Sequence, residues 1–197
     1  IRANGDCFVS AYILAGMMQN APLEILQELY GKFSEEVKNG YYGKLIGEQV
    51  KHLEQVAVGA IAPNFTVMTP EGDTISLHSI SGKIKLVDFW ASWCIPCRVS
   101  IIFLREIYKT HGDSIRFISI SLDQQEADWQ KALKEEKLPW AQFRSLPEQT
   151  KTFTEQYNLI GIPAFFIIDS EGRIVFSGSS MNELTEQLPK MITNSTH

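Results

Sequence analysis

Cys94 and Cys97 stand two residues apart in Trp90-Ala91-Ser92-Trp93-Cys94-Ile95-Pro96-Cys97. A pair so spaced supports three chemistries: half of a zinc site, a structural disulfide, or a catalytic dithiol that exchanges disulfides through a thiolate. Zinc would need a second such pair or two spaced histidines. The remaining cysteine is Cys7, and His52, His78, His111 and His197 are scattered, so a metal is not expected. A purely structural bridge leaves Trp90, Trp93 and Pro96 around the pair without a purpose. The dithiol reading fits best.

The flanking residues give that reading a physical basis. Ile84 to Trp90 is short, apolar, and rich in β-branched and aromatic side chains, and predicts a buried strand. Val99, Ile102, Phe103 and Ile107 recur at helical spacing and predict an amphipathic helix. The pair therefore falls at a strand-to-helix junction, with Cys94 at or just before the first turn. Unpaired N–H groups and the positive end of the helix dipole favour a thiolate there. Pro96 lacks an N–H and pre-sets the backbone for a helix start.

Two further residues could take part. Asp88 stands between Val87 and Phe89, where a carboxylate is costly unless it has a task. Either it reaches solvent at a sheet edge, or it is a buried acid beneath the dithiol. In the second case desolvation raises its pKa, and it exchanges protons with Cys97 through a water. Pro163, between Ile162 and the strand expected over 164–168, reads as a tight turn or a cis peptide.

These residues need a scaffold, and 197 residues with 44% apolar content suffice for a full core. A net charge of −5 with dispersed basic residues argues against nucleic acid as a partner. No apolar stretch reaches the roughly 18–20 residues that span a bilayer. Phe8 to Met18, broken by Ser10 and Gly16, reads as a core-facing helix. The chain starts at Ile1 and shows no signal peptide, as expected of a cut or mature fragment.

Residues 1–57 predict a helical appendage. Asp6 is placed to cap a first helix that turns Phe8, Tyr12, Ile13 and Ala15 inward. A second helix starts at Pro22 and carries Leu23, Ile25, Leu26, Leu29 and Phe33. Asn39-Gly40 breaks the chain before a third helix, 41–56, with Leu45, Ile46, Val50, Leu53 and Val56 on one side. Cys7 reads as a buried structural thiol.

Beyond a boundary at 58–63, strands and helices alternate. A hairpin turns at Thr69-Pro70-Glu71-Gly72-Asp73, and Ile115 to Leu122 is a central strand. Asp123 is placed to cap a helix with Trp129, Ala132 and Leu133 facing in. Trp129 and Trp140 read as core. A short helix from Pro147, a hairpin over 164–177 and a terminal helix follow. The pattern is an α/β domain over 58–197, its sheet covered on both faces.

The string from Leu86 to Cys97, followed by Gly161-Ile162-Pro163, resembles the thioredoxin superfamily. Ala62-Pro63-Asn64-Phe65, Gly72, Leu77 and Gly82-Lys83 resemble its TlpA/ResA-like branch, as does the segment 139–157, an added strand and helix. The resemblance implies a thioredoxin fold with a central mixed sheet, preceded by a helical segment that in many Bacteroidetes relatives follows another domain. It implies a cis Pro163 packed against the cysteines, and an Ile162 whose backbone meets an extended substrate. It implies that exposed Cys94 attacks a substrate disulfide, buried Cys97 resolves the mixed disulfide, and Asp88 takes the proton of Cys97. Trp93, Ile95 and Pro96 would line the substrate side, with Trp93 shielding it. The redox-active Cys94–Cys97 disulfide would serve without any other cofactor. Partners would be protein disulfides and an upstream reductant, in the periplasm or cell envelope.

Ser100 and Ile102 depart from the family, which often has Glu and Pro there; Ile95 stands where Gly is common. The changes affect potential and partner choice and leave the dithiol intact. Two other functions compete: a thiol peroxidase, for which Ala91 stands where Thr is needed, and an adaptor that binds through the groove beside Ile162 and Pro163.

Overall fold

A computed structural model describes residues 7–194, and the expected Asp6 cap lies outside them. The chain divides into two compact units, Ile1–Gln55 and Val56–His197.

The first unit contains helices α1 (Phe8–Met17), α2 (Leu23–Gly31), α3 (Glu35–Asn39) and α4 (Tyr41–Gln55). Ala11, Leu14, Leu26, Leu29, Phe33, Val37, Ile46 and Val50 form its core. The inward face of α1 differs from the expectation: Ala11 and Leu14 are buried, whereas Phe8, Tyr12 and Ile13 are exposed. Nearly every position of α1 is apolar, so periodicity alone cannot choose its face. Ile25 of α2 is also exposed. The helix expected from Pro22 through Phe33 stops at Gly31, because Ser34 starts α3 by accepting the Val37 amide at 3.4 Å.

The second unit is a seven-stranded mixed sheet in the order β2-β1-β5-β4-β3-β6-β7. Its strands are β1 (Thr66–Met68), β2 (Thr74–Ser76), β3 (Lys85–Trp90), β4 (Arg116–Ser121), β5 (Ala141–Ser145), β6 (Ala164–Ile168) and β7 (Ile174–Gly178). β3, β4 and β5 run parallel, and the remaining neighbours pair antiparallel. The helices are α5 (Ile95–His111), α6 (Glu126–Glu136), α7 (Pro147–Gln156) and α8 (Met181–Asn194). This is the α/β mixed-sheet architecture expected of the thioredoxin fold.

β3 is flanked on both sides and buried along nearly its whole length. Successive side chains alternate between faces. Val87 and Phe89 enter a core with Phe65, Phe166 and Tyr157. Leu86 and Trp90 point to the opposite face, where Leu86 shares a cluster with Leu104 of α5 and Trp90 shares one with Cys97.

α5 presents a different face to the sheet from the one its apolar spacing suggests. Cys97, Ser100, Ile101 and Leu104 are buried, while Val99, Ile102 and Phe103 are exposed. The helix carries two apolar stripes, and the inner one includes two small polar-capable residues that periodicity overlooks. Asp123 does not cap α6 either: Gln125 holds the cap position without a side-chain bond, and Asp123 is buried.

Tyr157, just after α7, packs on Phe65 and Phe166 and donates its hydroxyl to the Pro63 carbonyl at 2.6 Å. Tyr157→Phe leaves that carbonyl unpaired and is expected to cost about 1–2 kcal/mol in denaturant unfolding. An unchanged midpoint would show that solvent replaces the bond.

Candidate functional site

The site is built where β3 passes into α5. Cys94 occupies the N-cap position, its Sγ accepts the Cys97 amide at 3.2 Å, and Pro96 sits in the first turn. Cys94 and Cys97 are joined as a disulfide. The Cys97 N–H is one of the orphan donors at a helix start, and a sulfur is what satisfies it. Toward a disulfide sulfur this bond is weak. Toward a thiolate at the same place it is charge-assisted, so the junction favours the ionised form of Cys94.

Neither sulfur-bearing residue is freely exposed: Cys94 is 4% accessible and Cys97 1%. The exposed Cys94 of the sequence reading is therefore corrected. Its Sγ lies 3.7 Å from the Ile162 carbonyl, and Ile162 packs on the cluster that holds both cysteines. Within a disulfide the sulfur carries no proton, so this approach is a contact rather than a hydrogen bond. The Ile162–Pro163 peptide is cis, in agreement with the resemblance. Around the pair, Trp93 is 67% accessible, Ile95 and Pro96 are exposed, and Ile162 and Pro163 are half-buried. Trp93 stands out from the site with most of its surface in solvent.

The loop that delivers Cys94 is held from two sides. Asp123 accepts the Ser92 amide at 2.9 Å and the Ser92 hydroxyl at 2.6 Å. Ser121 also donates to Asp123, at 2.6 Å. Arg98 donates to the Ser92 carbonyl at 2.9 Å while pairing with Glu135 and Glu136. Both polar ends of Ser92 are thereby fixed two residues before Cys94. Reading Asp123 as a helix cap overlooked this role. The signal was present: a carboxylate directly after a strongly apolar strand poses the same burial problem as Asp88.

Asp88 is buried, 2% accessible, which excludes the sheet-edge alternative. It shares the face of β3 with Leu86 and Trp90, and so lies under α5 between the Leu104 and Cys97 layers. Burial pushes its pKa up to about 7, and a hydrogen bond from Ser119, 3.0 Å to Oδ2, acts in the opposite direction. Ser100 is buried on the inner face of α5 and donates to the Pro96 carbonyl at 3.1 Å. No carboxylate enters the site from that position. α5 continues without interruption through Ile102.

Fold and site together define a thioredoxin-like thiol-disulfide oxidoreductase with a Cys-x-x-Cys dithiol. The chain belongs to the AhpC/TSA family, which matches it over residues 58–177. A thiol-disulfide oxidoreductase ResA of Bacillus cereus is 27% identical over 172 residues, which is 86% of this chain and 93% of the relative. The thioredoxin domain of a thiol-disulfide oxidoreductase from Bacteroides vulgatus is 32% identical with a TM-score of 0.64, covering 69% of this chain and 98% of that one. A thiol:disulfide interchange protein from Bacteroides sp. is 31% identical with a TM-score of 0.65, covering 71% and 92%.

The raised pKa of Asp88 makes stability depend on pH. Folding favours the protonated carboxyl, so the stability it contributes is complete below the ordinary value of 3.8 and is lost as pH rises to about 7. Asp88→Asn removes that loss. The oxidised variant is expected to be more stable than the parent at pH 8, by on the order of 3 kcal/mol, with the gap closing toward pH 4. Denaturant unfolding at the two pH values checks this, and a variant less stable at pH 8 contradicts it.

Proposed function

We propose that this protein reduces protein disulfides in the cell envelope, with Cys94 as nucleophile, Cys97 as resolving thiol and Asp88 as proton acceptor. The observation that carries the reading is the Cys94 sulfur at the N-cap of α5, accepting the Cys97 amide at 3.2 Å above a buried carboxyl. The Cys94 thiolate attacks one sulfur of a substrate disulfide, forming a mixed disulfide and expelling one substrate thiolate. Asp88, as carboxylate, takes the proton of Cys97 through a water. The Cys97 thiolate then attacks the Cys94 sulfur, expels the second substrate thiolate, and closes the Cys94–Cys97 disulfide. The substrate gains two electrons, and an upstream reductant, itself a dithiol, returns them to the protein. The cysteines supply all the redox chemistry in this scheme, with no further cofactor.

Cys94 takes the first step because it is the less buried thiol and lies at the helix start, whereas Cys97 faces the core. Trp93, Ile95, Pro96, Ile162 and Pro163 form the rim that an extended substrate segment meets. The Ile162 backbone, already 3.7 Å from the Cys94 sulfur, is placed to pair with such a segment. The envelope location rests on the family resemblance, as does reduction as the direction. The peroxidase reading is weaker, because Ala91 is buried and has no hydroxyl to offer a peroxide.

Turbidity during dithiothreitol-driven reduction of insulin tests the reading. The protein is expected to accelerate it, Cys94→Ser to abolish the acceleration, and Cys97→Ser to accumulate a mixed disulfide visible by mass. Full activity in Cys94→Ser would overturn the assignment.

A further inference from the structure

Asp88 is not alone on its face of the sheet. Ser119 is its paired residue across the parallel β3–β4 ladder and is fully buried. The Ser119 hydroxyl donates to Asp88 Oδ2 at 3.0 Å, and Ser119 Oγ in turn accepts the indole N–H of Trp140 at 2.9 Å. Trp140 precedes β5, and its ring packs against Phe117 at 5.6 Å and Tyr108 at 5.3 Å.

The direction of this chain is fixed by chemistry. An indole N–H can only donate, and a serine hydroxyl has one proton and two lone pairs. With one lone pair taken by Trp140, the Ser119 oxygen is oriented and its single proton is committed to Asp88. We infer that Ser119 and Trp140 are positioning residues for the proton step: Trp140 orients the Ser119 hydroxyl, which keeps Asp88 able to ionise and accept the proton of Cys97. The inference rests on the proposed role of Asp88 and extends it to Ser119 and to Trp140, which sequence patterning assigns to the core.

The electrostatics agree with the geometry. Burial favours the neutral acid, and the Ser119 hydrogen bond is the influence that opposes it. This face is covered by α5, α6 and α8 beside β4 and β6, and the titratable groups within its buried layers are Cys97 and, one layer below, Tyr108. The charged residues of these helices stay toward the surface: Arg98 and Arg105 of α5 pair with Glu135 and Glu136 of α6, and Glu183, Glu186 and Lys190 of α8 are exposed. The Tyr108 hydroxyl is engaged with the Pro139 carbonyl at 3.3 Å. Asp123, just past β4, is taken by Ser92 and Ser121. Lys85 begins β3 on the opposite face, by the alternation of the strand. No cation therefore substitutes for the Ser119 proton among these groups.

Without that proton, burial acts unopposed. Asp88 stays protonated to higher pH, and a protonated carboxyl cannot receive the proton of Cys97. The sign is definite: losing Ser119 or its orientation moves the pH midpoint of the resolving step upward.

The test uses the reduced full chain and one equivalent of dithiobis(nitrobenzoate), which releases two coloured thiolates in sequence. The first reports attack by Cys94. The second reports attack by Cys97 on the mixed disulfide, and its rate is followed against pH. Ser119→Ala is expected to raise the midpoint of the second phase by about one pH unit, a roughly tenfold loss of rate below the midpoint. Trp140→Phe keeps the ring and the hydroxyl but removes the donor, and is expected to shift the midpoint in the same direction by less. The first phase should be unchanged in both, which separates a positioning effect from general damage to the fold. Should Ser119→Ala fail to fold, Trp140→Phe carries the test.

Asp88→Asn separates the two levels of the argument. If it abolishes the inflection while both other variants keep the parental midpoint, the relay is overturned and the base role stands. If the inflection survives Asp88→Asn, the base role itself fails and the relay fails with it.

Discussion

A helix that begins at a sulfur is the constraint on which this structure depends. The Cys97 amide needs an acceptor at the start of α5, and the Cys94 sulfur supplies it at 3.2 Å. The two cysteines thereby acquire different surroundings although only two residues separate them. Cys94 sits at the N-cap of a helix, where its sulfur accepts a first-turn amide, and Cys97 turns toward Trp90, Ile101 and the sheet. The asymmetry is what a dithiol needs to attack with one sulfur and resolve with the other. Everything nearby maintains it: β3 is held by a strand on each side, and Ser92 is fixed by Asp123 and Arg98.

The same region buries two carboxylates and treats them differently. Asp123 accepts three hydrogen bonds, from the Ser92 amide and from the hydroxyls of Ser92 and Ser121, and serves as an anchor for the loop. Asp88 accepts one side-chain bond, from Ser119, and lies against apolar layers. The three donors hold Asp123 in place beside Ser92, whereas burial with a single side-chain donor pushes the pKa of Asp88 up to about 7.

Much of this was legible in the sequence because the relevant signals are local. The cysteine spacing, the β-branched run before it and Pro96 after it define the junction within a dozen residues. Asp88 was visible as a charge where a strand must be apolar. What was not legible depends on pairing between distant segments. Asp123 meets Ser92 only because β4 lies beside β3, and Trp140 meets Ser119 only because β5 follows as the next strand in the sheet. The inner face of α5 was also misread, because Ser100 and Cys97 are buried while Val99, Ile102 and Phe103 are not. In α1 the pattern carried no facial information at all. The exposure of Cys94 was overstated, since the Ile162 carbonyl that covers it comes from a loop 68 residues away.

The asymmetry of the dithiol is the central claim, and brief alkylation of the reduced protein by iodoacetamide at pH 6 measures it most directly. Peptide masses then assign the modified cysteine. The structure predicts rapid modification of Cys94, as the thiolate at the helix start, with Cys97 left unmodified. Equal modification of the two cysteines, or modification of Cys97 first, would contradict it.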